Sequence, residues 1–375
     1  MKLVFFCHAL TSCWNNGNAH FLRGIARELR AVGHQVKVYE PADGWSRLNA
    51  LREGGGQALQ EAQALLSEID VRPYQASPDL DEALHGADVV IVHEWNSPDL
   101  ISELGRRRVR GAPFTLLFHD THHRAVTAPE ELQRFDLEGF DGVLAFGEVL
   151  RQIYLRLGWA NRAWTWHEAA DIRLYRPMPE IELTHDLIWI GNWGDGERSA
   201  ELKEFLIEPA AELRLRTRIH GVRYPLDAIR AIEAAGLEYC GWLPAHGVPA
   251  ALGAARVTVH VPRAPYARSL PGIPTIRMFE AMACGIPIVS APWEDVEQLF
   301  PRDAWMRVAN GAEMKQALRA VMRDRELSTE LKQKGLRAIA ERHTCRHRVL
   351  ELLDIVNSIR SDRPLHASHF EEALS

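Results

Sequence analysis

Between Ser269 and Ser290 a Gly/Pro turn, Pro271-Gly272-Ile273-Pro274-Thr275, runs straight into a short helical stretch that halts at Gly285. A buried apolar strand, Ile286–Ser290, follows. Thr275 reads as the N-cap. The first amides of such a helix have no partners within it, so with the backbone of Gly272, Ile273 and Pro274 they form a site suited to a phosphate. Glu280 lies one turn further on, beside Phe279 and Met282. Its carboxylate suits the two hydroxyls of a ribose. It equally suits an i,i+3 ion pair with Arg277 on a surface helix, worth only about 0.2–0.5 kcal/mol.

A second loop of the same kind is Gly191-Asn192-Trp193-Gly194-Asp195-Gly196-Glu197-Arg198, between a strand and a helix. Its glycines permit close backbone approach to a ligand. A cation at a helix start opposes the helix dipole, so Arg198 points to an anionic partner such as a diphosphate rather than to a solvated position. Phe118-His119-Asp120-Thr121-His122-His123 follows another strand. Three histidines and an aspartate invite a metal, but the helical His-x3-His register is missing, and no metal site is expected. In Ser12–His20, Gly17 and the amide side chains either face a ligand or make an ordinary strand-to-helix turn. Trp14, Trp95, Trp193 and Trp242 fall near strand ends, where aromatic faces stack on sugars or bases, although most tryptophans fill core. His220-Gly221-Val222-Arg223 and Gly241-Trp242-Leu243-Pro244 occupy two more strand ends.

These loops need a scaffold that brings them together. Apolar runs at Leu3–Cys7, Gln35–Tyr39, Ala87–His93, Pro113–Phe118 and Gly142–Phe146 alternate with helical patterns, as in Phe21, Ile25, Leu29 and Val32. Continuous apolar strands belong to a parallel sheet covered on both faces. The pattern pauses at Tyr175-Arg176-Pro177-Met178-Pro179 and restarts with Asp186–Ile190, Thr217–His220, Leu237–Cys240, Val257–Val261 and Ile286–Ser290. The expected fold is α/β: two facing Rossmann-like, doubly wound parallel-sheet domains, 1–176 and 177–345, then a C-terminal helix and polar tail over 346–375. Trp45 to Glu68 is an extra helical stretch interrupted at Gly54-Gly55-Gly56. Ligands bind outside the carboxyl ends of such strands, so two facing sheets direct all these loops into one interdomain cleft.

Composition narrows the field. In 375 residues, 44 Lys+Arg against 50 Asp+Glu give a net charge of −6, without the clustered positive surface that nucleic-acid binding needs. No apolar run approaches the about 18 residues of a membrane span, which leaves only peripheral membrane contact open. The N-terminal Met1–Cys7 run breaks at His8, too early for an export signal, and reads as a buried first strand. Five scattered cysteines without metal spacing fit reduced thiols in a cytoplasm.

The Ser269–Ser290 segment closely resembles the signature of retaining glycosyltransferases of the GT-B fold, family four, where a glycine loop precedes Glu-Ala-Met-Ala-x-Gly-x-Pro-Val/Ile-Val. The pattern Thr275-x-Arg277-x-Phe279-Glu280 looks closest to the spore-maturation-protein-like branch. The resemblance implies hexosyl transfer from a nucleotide sugar, UDP by family frequency, to an unknown acceptor, without metal or other cofactor. It gives Glu280 the ribose, as second glutamate of a Glu-x7-Glu pair whose first position holds Gly272 here. Arg198 matches the lysine that faces the leaving diphosphate, while Asn192 stands at the accompanying arginine. Arg263, Arg268 and Arg277 are candidates for the second cation. His119 is expected beside the donor sugar. Gly17, Gly194, Ile273, Pro274, Thr275 and Leu243 are expected around the donor nucleotide.

Two other functions share this architecture. A sugar-nucleotide 2-epimerase needs acid/base residues around the sugar. A non-catalytic nucleotide-binding protein suits the glycine at position 272. A dehydrogenase is disfavoured, since neither opening loop reads Gly-x-Gly-x-x-Gly with an acidic residue about 20 positions on.

Overall fold

The computed structural model describes residues 1–362. The polar tail expected after residue 361 falls almost wholly outside them. The first sheet contains β1 (Lys2–Phe6), β2 (Gln35–Pro41), β3 (Asp70–Tyr74), β4 (Val89–His93), β5 (Thr115–Asp120), β6 (Gly142–Ala145) and β7 (Ala163–Thr165). Their order is β3-β2-β1-β4-β5-β6-β7, and every pair is parallel. The second contains β8 (His185–Ile190), β9 (Thr217–His220), β10 (Glu238–Tyr239), β11 (Ala255–His260), β12 (Ile288–Ser290) and β13 (Met306–Arg307). Its order, β10-β9-β8-β11-β12-β13, is again wholly parallel.

Both sheets are therefore two doubly wound Rossmann-like domains, and each reverses its winding once. The reversal falls between β1 and β4 in the first and between β8 and β11 in the second. At such a switch point the loops on either side diverge and leave a crevice. The chain puts its Asn/Gly and Gly/Arg loops after β1 and β8. The Leu3–Phe6 run, weighed above against an export signal, is the buried centre of the first sheet.

Three strands carry no clear apolar signal: β3, β7 and β13. All are sheet edges. Edge strands are short and half-solvated; β3 reads Asp-Val-Arg-Pro-Tyr, and its proline is tolerated because nothing pairs with the outer side. In the Trp45–Leu65 helix the break falls at Gly55, whose φ of 62° is left-handed.

After the bridging segment 166–184 and the second domain, the last helix, Cys345–Ser361, returns to the first domain and packs on the Asn18–Ala31 helix. A Cβ on Gly24 would come within 2.4 Å of Cys345 Sγ, so glycine is what allows this approach. Trp166, fully buried, donates from Nε1 to the Arg348 carbonyl at 2.9 Å. Val349, Leu352, Val356 and Ile359 are buried, each contributing about 1.5–3 kcal/mol. This strap ties the lobes together at the rear of the cleft.

Candidate active site between the lobes

Two connected cavities occupy the gap between the sheets. The narrower, about 190 Å³, lies against the second domain and is lined by Trp189, Gly191, Gly221, Trp242 and Leu243. The wider, about 540 Å³, lies toward the first domain, with His8, Trp95, His122 and Glu168 in its walls. They meet at a neck formed by Asn16, Gly17, Asn192, Arg263, Thr275 and Ile276. A Cβ on Gly17 would sit 2.9 Å from Ile276 Cγ2, so the two lobes touch where the cavity is tightest.

Arg198 is the central cation. It is buried, donates to the Val261 carbonyl (2.8 Å) and to the backbone and side-chain oxygens of Asn192 (2.7 and 2.6 Å), and lies over the Trp189 ring. It forms no ion pair with a described carboxylate, and its Nε has no partner. Burial, with Arg263 nearby, lowers its pKa to about 10. A buried guanidinium held by neutral oxygens is costly unless an anion completes it. Arg263 also lines the neck and pairs with Glu197 at 3.1 Å. Arg277 lines the narrow cavity. Arg268, exposed and paired with Glu201, does not line either cavity.

Asn192, which occupies the arginine position of the resembled family, holds Arg198 from behind and donates across the gap to Asn15 Oδ1. Gly194 has φ 91° and touches the Arg198 stem; it shapes the loop but lines neither cavity. Thr275 is the N-cap of the Ile276–Ala283 helix by backbone conformation, φ −78° and ψ 156°. It makes no side-chain cap bond and faces the neck instead.

Glu280 is not a surface ion-pair residue. It is 1% exposed; its Oε1 lies 2.6 Å from His20 Nδ1 in the first lobe, and its Oε2 accepts from Arg277. Burial alone would raise its pKa, but Arg277 and His20 outweigh that and hold it at about 2. One side of the carboxylate borders a recess of about 20 Å³ beside Ile190 and His260, which also line the narrow cavity. Cys13, on the cavity wall, is tied to the same group: burial opposes ionisation, but the hydrogen bond to His20 and the nearby Arg23 bring its pKa down to about 6.

Four expected site residues are placed differently. His119 does not border the cleft: β5 runs two residues past Phe118, so His119 sits inside the ladder beside His93 and Leu144, with 0% exposure. It packs edge-on against Trp166, and neither ring nitrogen has a partner. His122 and His123, just beyond the strand end, line the wide cavity instead. Gly272 and Ile273 also lie outside both cavities. Gly272 has φ 91°, donates to the Glu294 carbonyl, and leaves no room for a Cβ beside Val296 (2.8 Å). Ile273 is buried against Gly147 of the first lobe. The Gly/Pro turn thus docks the lobes, and only Pro274 and Thr275 reach the cleft. Gly194, beneath the Arg198 stem, is the fourth.

The sequence motifs do not single out Glu168, His20 or Tyr266. Glu168 lies in the bridging segment with no motif around it. Asn16 was visible only as part of an amide-rich loop. Among the described residues no three His, Cys, Asp or Glu side chains converge as a metal site, and no helix is long and apolar enough to cross a membrane.

The cleft and its scaffold define a two-lobed transferase. A Glycosyltransferase Family 4 model matches residues 15–174, and a Glycosyl transferase-like model matches residues 198–354. No curated protein sequence matches. Sucrose-phosphate synthase from Thermosynechococcus elongatus superposes with a TM-score of 0.65 at 13% identity, covering 97% of this chain and 100% of that one. HepE from Anabaena, in complex with UDP-glucose, gives 0.65 at 15%, covering 96% and 100%. T4 phage BGT, in complex with UDP and Mn2+, gives 0.59 at 12%, covering 96% and 99%. With a glycosyltransferase model matching each lobe, the chain is a glycosyltransferase of GT-B architecture, similar to family four. Its reaction is the transfer of a sugar from a nucleotide sugar.

Proposed function

We propose that the donor is a UDP-hexose, bound with its nucleoside in the narrow cavity, its diphosphate in the neck and its sugar in the wide cavity. The observation that carries this reading is Arg198, a buried guanidinium with no carboxylate partner, beside the neck. Arg263 and Arg277 lie close by, and the first amides of the Ile276–Ala283 helix are free to donate. Together they meet the negative charge that builds on the departing diphosphate. With three arginines supplying the opposing positive charge, no resident metal is assigned to the step.

Glu280 is assigned to the ribose hydroxyls through the recess beside Ile190. Arg277, now paired with Glu280, would then turn to the diphosphate. Trp242 and Leu243 border the base. The transfer is assigned to the front face of the anomeric carbon, with retention, the leaving phosphate taking the acceptor proton. That route needs no carboxylate base. The neutral His122 and His123, whose pKa values burial lowers to about 2 and about 4, then line the chamber without competing for the proton. Free thiols at all five cysteines suit a reducing cytoplasm. The acceptor is unassigned.

The test is a thermal-shift and calorimetry panel of UDP, GDP, ADP and their sugars, since a ligand of the native state raises the midpoint. UDP and UDP-hexoses should give the largest shifts, and EDTA should leave transfer unchanged. A larger shift with GDP or ADP, or loss of activity in EDTA, would overturn the corresponding part.

A further inference from the structure

Glu168 is the one cleft carboxylate whose situation nothing above uses. It follows Trp166-His167 in the bridging segment and is 7% exposed, with its side chain in the wall of the wide cavity. Every other carboxylate in those walls has a cationic neighbour: Asp195 pairs with Arg223, and Glu197 with Arg263. Glu168 makes neither a hydrogen bond nor an ion pair with any described residue. Its carboxyl opens on the cavity with no protein partner engaged, so it is available to a ligand that enters there.

Its position is specific. It lines the wide cavity and not the narrow one. Yet it lies within electrostatic range of Glu280, His20 and Arg277 at the floor of the neck, and of Tyr266 in its wall. A group there stands immediately past the diphosphate position, where the unit joined to the second phosphate must lie. Trp45 and Arg223, both exposed, form the outer rim of the same cavity.

We propose that Glu168 binds the hydroxyls of the sugar being transferred, supplying from the first lobe the carboxyl that Gly272 does not supply from the second. Resting on the donor reading above, it fixes which wall recognises the sugar. Burial, reinforced by the Glu280 charge, raises the Glu168 pKa to about 8. At neutral pH it is a neutral acid that can donate one hydrogen bond to a sugar hydroxyl and accept one from its neighbour.

The test compares UDP with UDP-glucose and UDP-galactose on the full-length wild type and on Glu168→Gln and Glu168→Ala, by calorimetry. Glutamine keeps the volume and guards against misfolding. Glu168→Ala should keep UDP affinity within about twofold and weaken the better UDP-sugar about tenfold to hundredfold, the loss expected when a site built for a hydroxyl loses its partner. Glu168→Gln, whose amide also donates and accepts, should retain most of the sugar contribution. Equal weakening of UDP and UDP-sugar by Glu168→Ala, or no change in either, overturns the proposal. So does a wild type that binds UDP and the better sugar nucleotide equally while Glu168→Ala behaves identically. Failure of the wild type to bind any nucleoside diphosphate strikes instead at the donor reading, and this proposal falls with it.

Discussion

His20 Nδ1 and Glu280 Oε1 stand 2.6 Å apart across the two lobes, with the Tyr175 hydroxyl also 2.6 Å from the same nitrogen. His20 comes from the first turn of the Asn18–Ala31 helix, and Glu280 from the Ile276–Ala283 helix. The pair closes the floor of the cleft behind the neck, so the carboxylate assigned to ribose also fixes how the lobes meet.

Removing one member of a buried ion pair costs about 3–5 kcal/mol. Glu280→Gln should therefore lower the melting midpoint. In calorimetry the wild type should prefer UDP over 2′-deoxy-UDP, and Glu280→Gln should abolish that preference. A mutant that melts early but still discriminates the two nucleotides would leave Glu280 with the clasp alone.

Arg198→Ala should reduce turnover by about 10²–10³, the usual cost of losing one donor aimed at developing charge. Arg198→Lys should recover only part of this, because an ammonium cannot reproduce the three-oxygen grip on Val261 and Asn192. Since the buried cation is unpaired without ligand, Arg198→Ala should leave the ligand-free midpoint unchanged or raised. A lowered ligand-free midpoint with unaltered UDP affinity would contradict the assignment.

The clasp sets a pH window. Glu280 is depressed from 4.5 to about 2, so its contribution is complete above 4.5 and lost as pH falls toward 2. For His20, burial opposes the charge, but Glu280 and Cys13 raise its pKa above 6.5. Its contribution is complete below 6.5 and lost as pH rises through the raised folded value. Glu168, raised from 4.5 to about 8, adds a decline across that interval, because the folded state holds its proton more tightly. Midpoints measured from pH 3 to 6 should peak near 4.5, before Cys13, depressed from 9.0 to about 6, adds an opposing gain, and Glu168→Gln should flatten the fall above 4.5. A fall above pH 4.5 that persists unchanged in Glu168→Gln would contradict the Glu168 assignment.

His119→Leu should leave UDP-sugar affinity and turnover unaltered, because the ring is sealed between Phe21, His93 and Trp166. It also removes two buried ring nitrogens that lack partners, whose desolvation costs about 1–3 kcal/mol, so the midpoint should not fall. His122→Ala, on the cavity wall, should lower kcat/KM about tenfold through lost contact with the sugar. Equal kinetic effects of the two substitutions would place His119 back at the site.

The sequence by itself determined the two parallel sheets, since fully apolar strands alternating with amphipathic helices bury both faces of a sheet in only this way. It also picked out Arg198, Thr275, Arg277 and Glu280, because local patterns around helix starts constrain charge and hydrogen bonding within a few residues. It did not reveal β3, β7 and β13, edge strands whose half-solvated residues carry little periodic signal. Only tertiary structure decided that β5 continues past Phe118 and buries His119. Only tertiary structure turned Gly272 and Ile273 into a lobe contact and set Glu168 opposite the neck. Those outcomes depend on contacts between residues far apart in the chain, from His93 with His119 to Gly147 with Ile273 and His20 with Glu280. The spacing of neighbours along a chain records helix and strand periods; it does not record which distant surface closes over them.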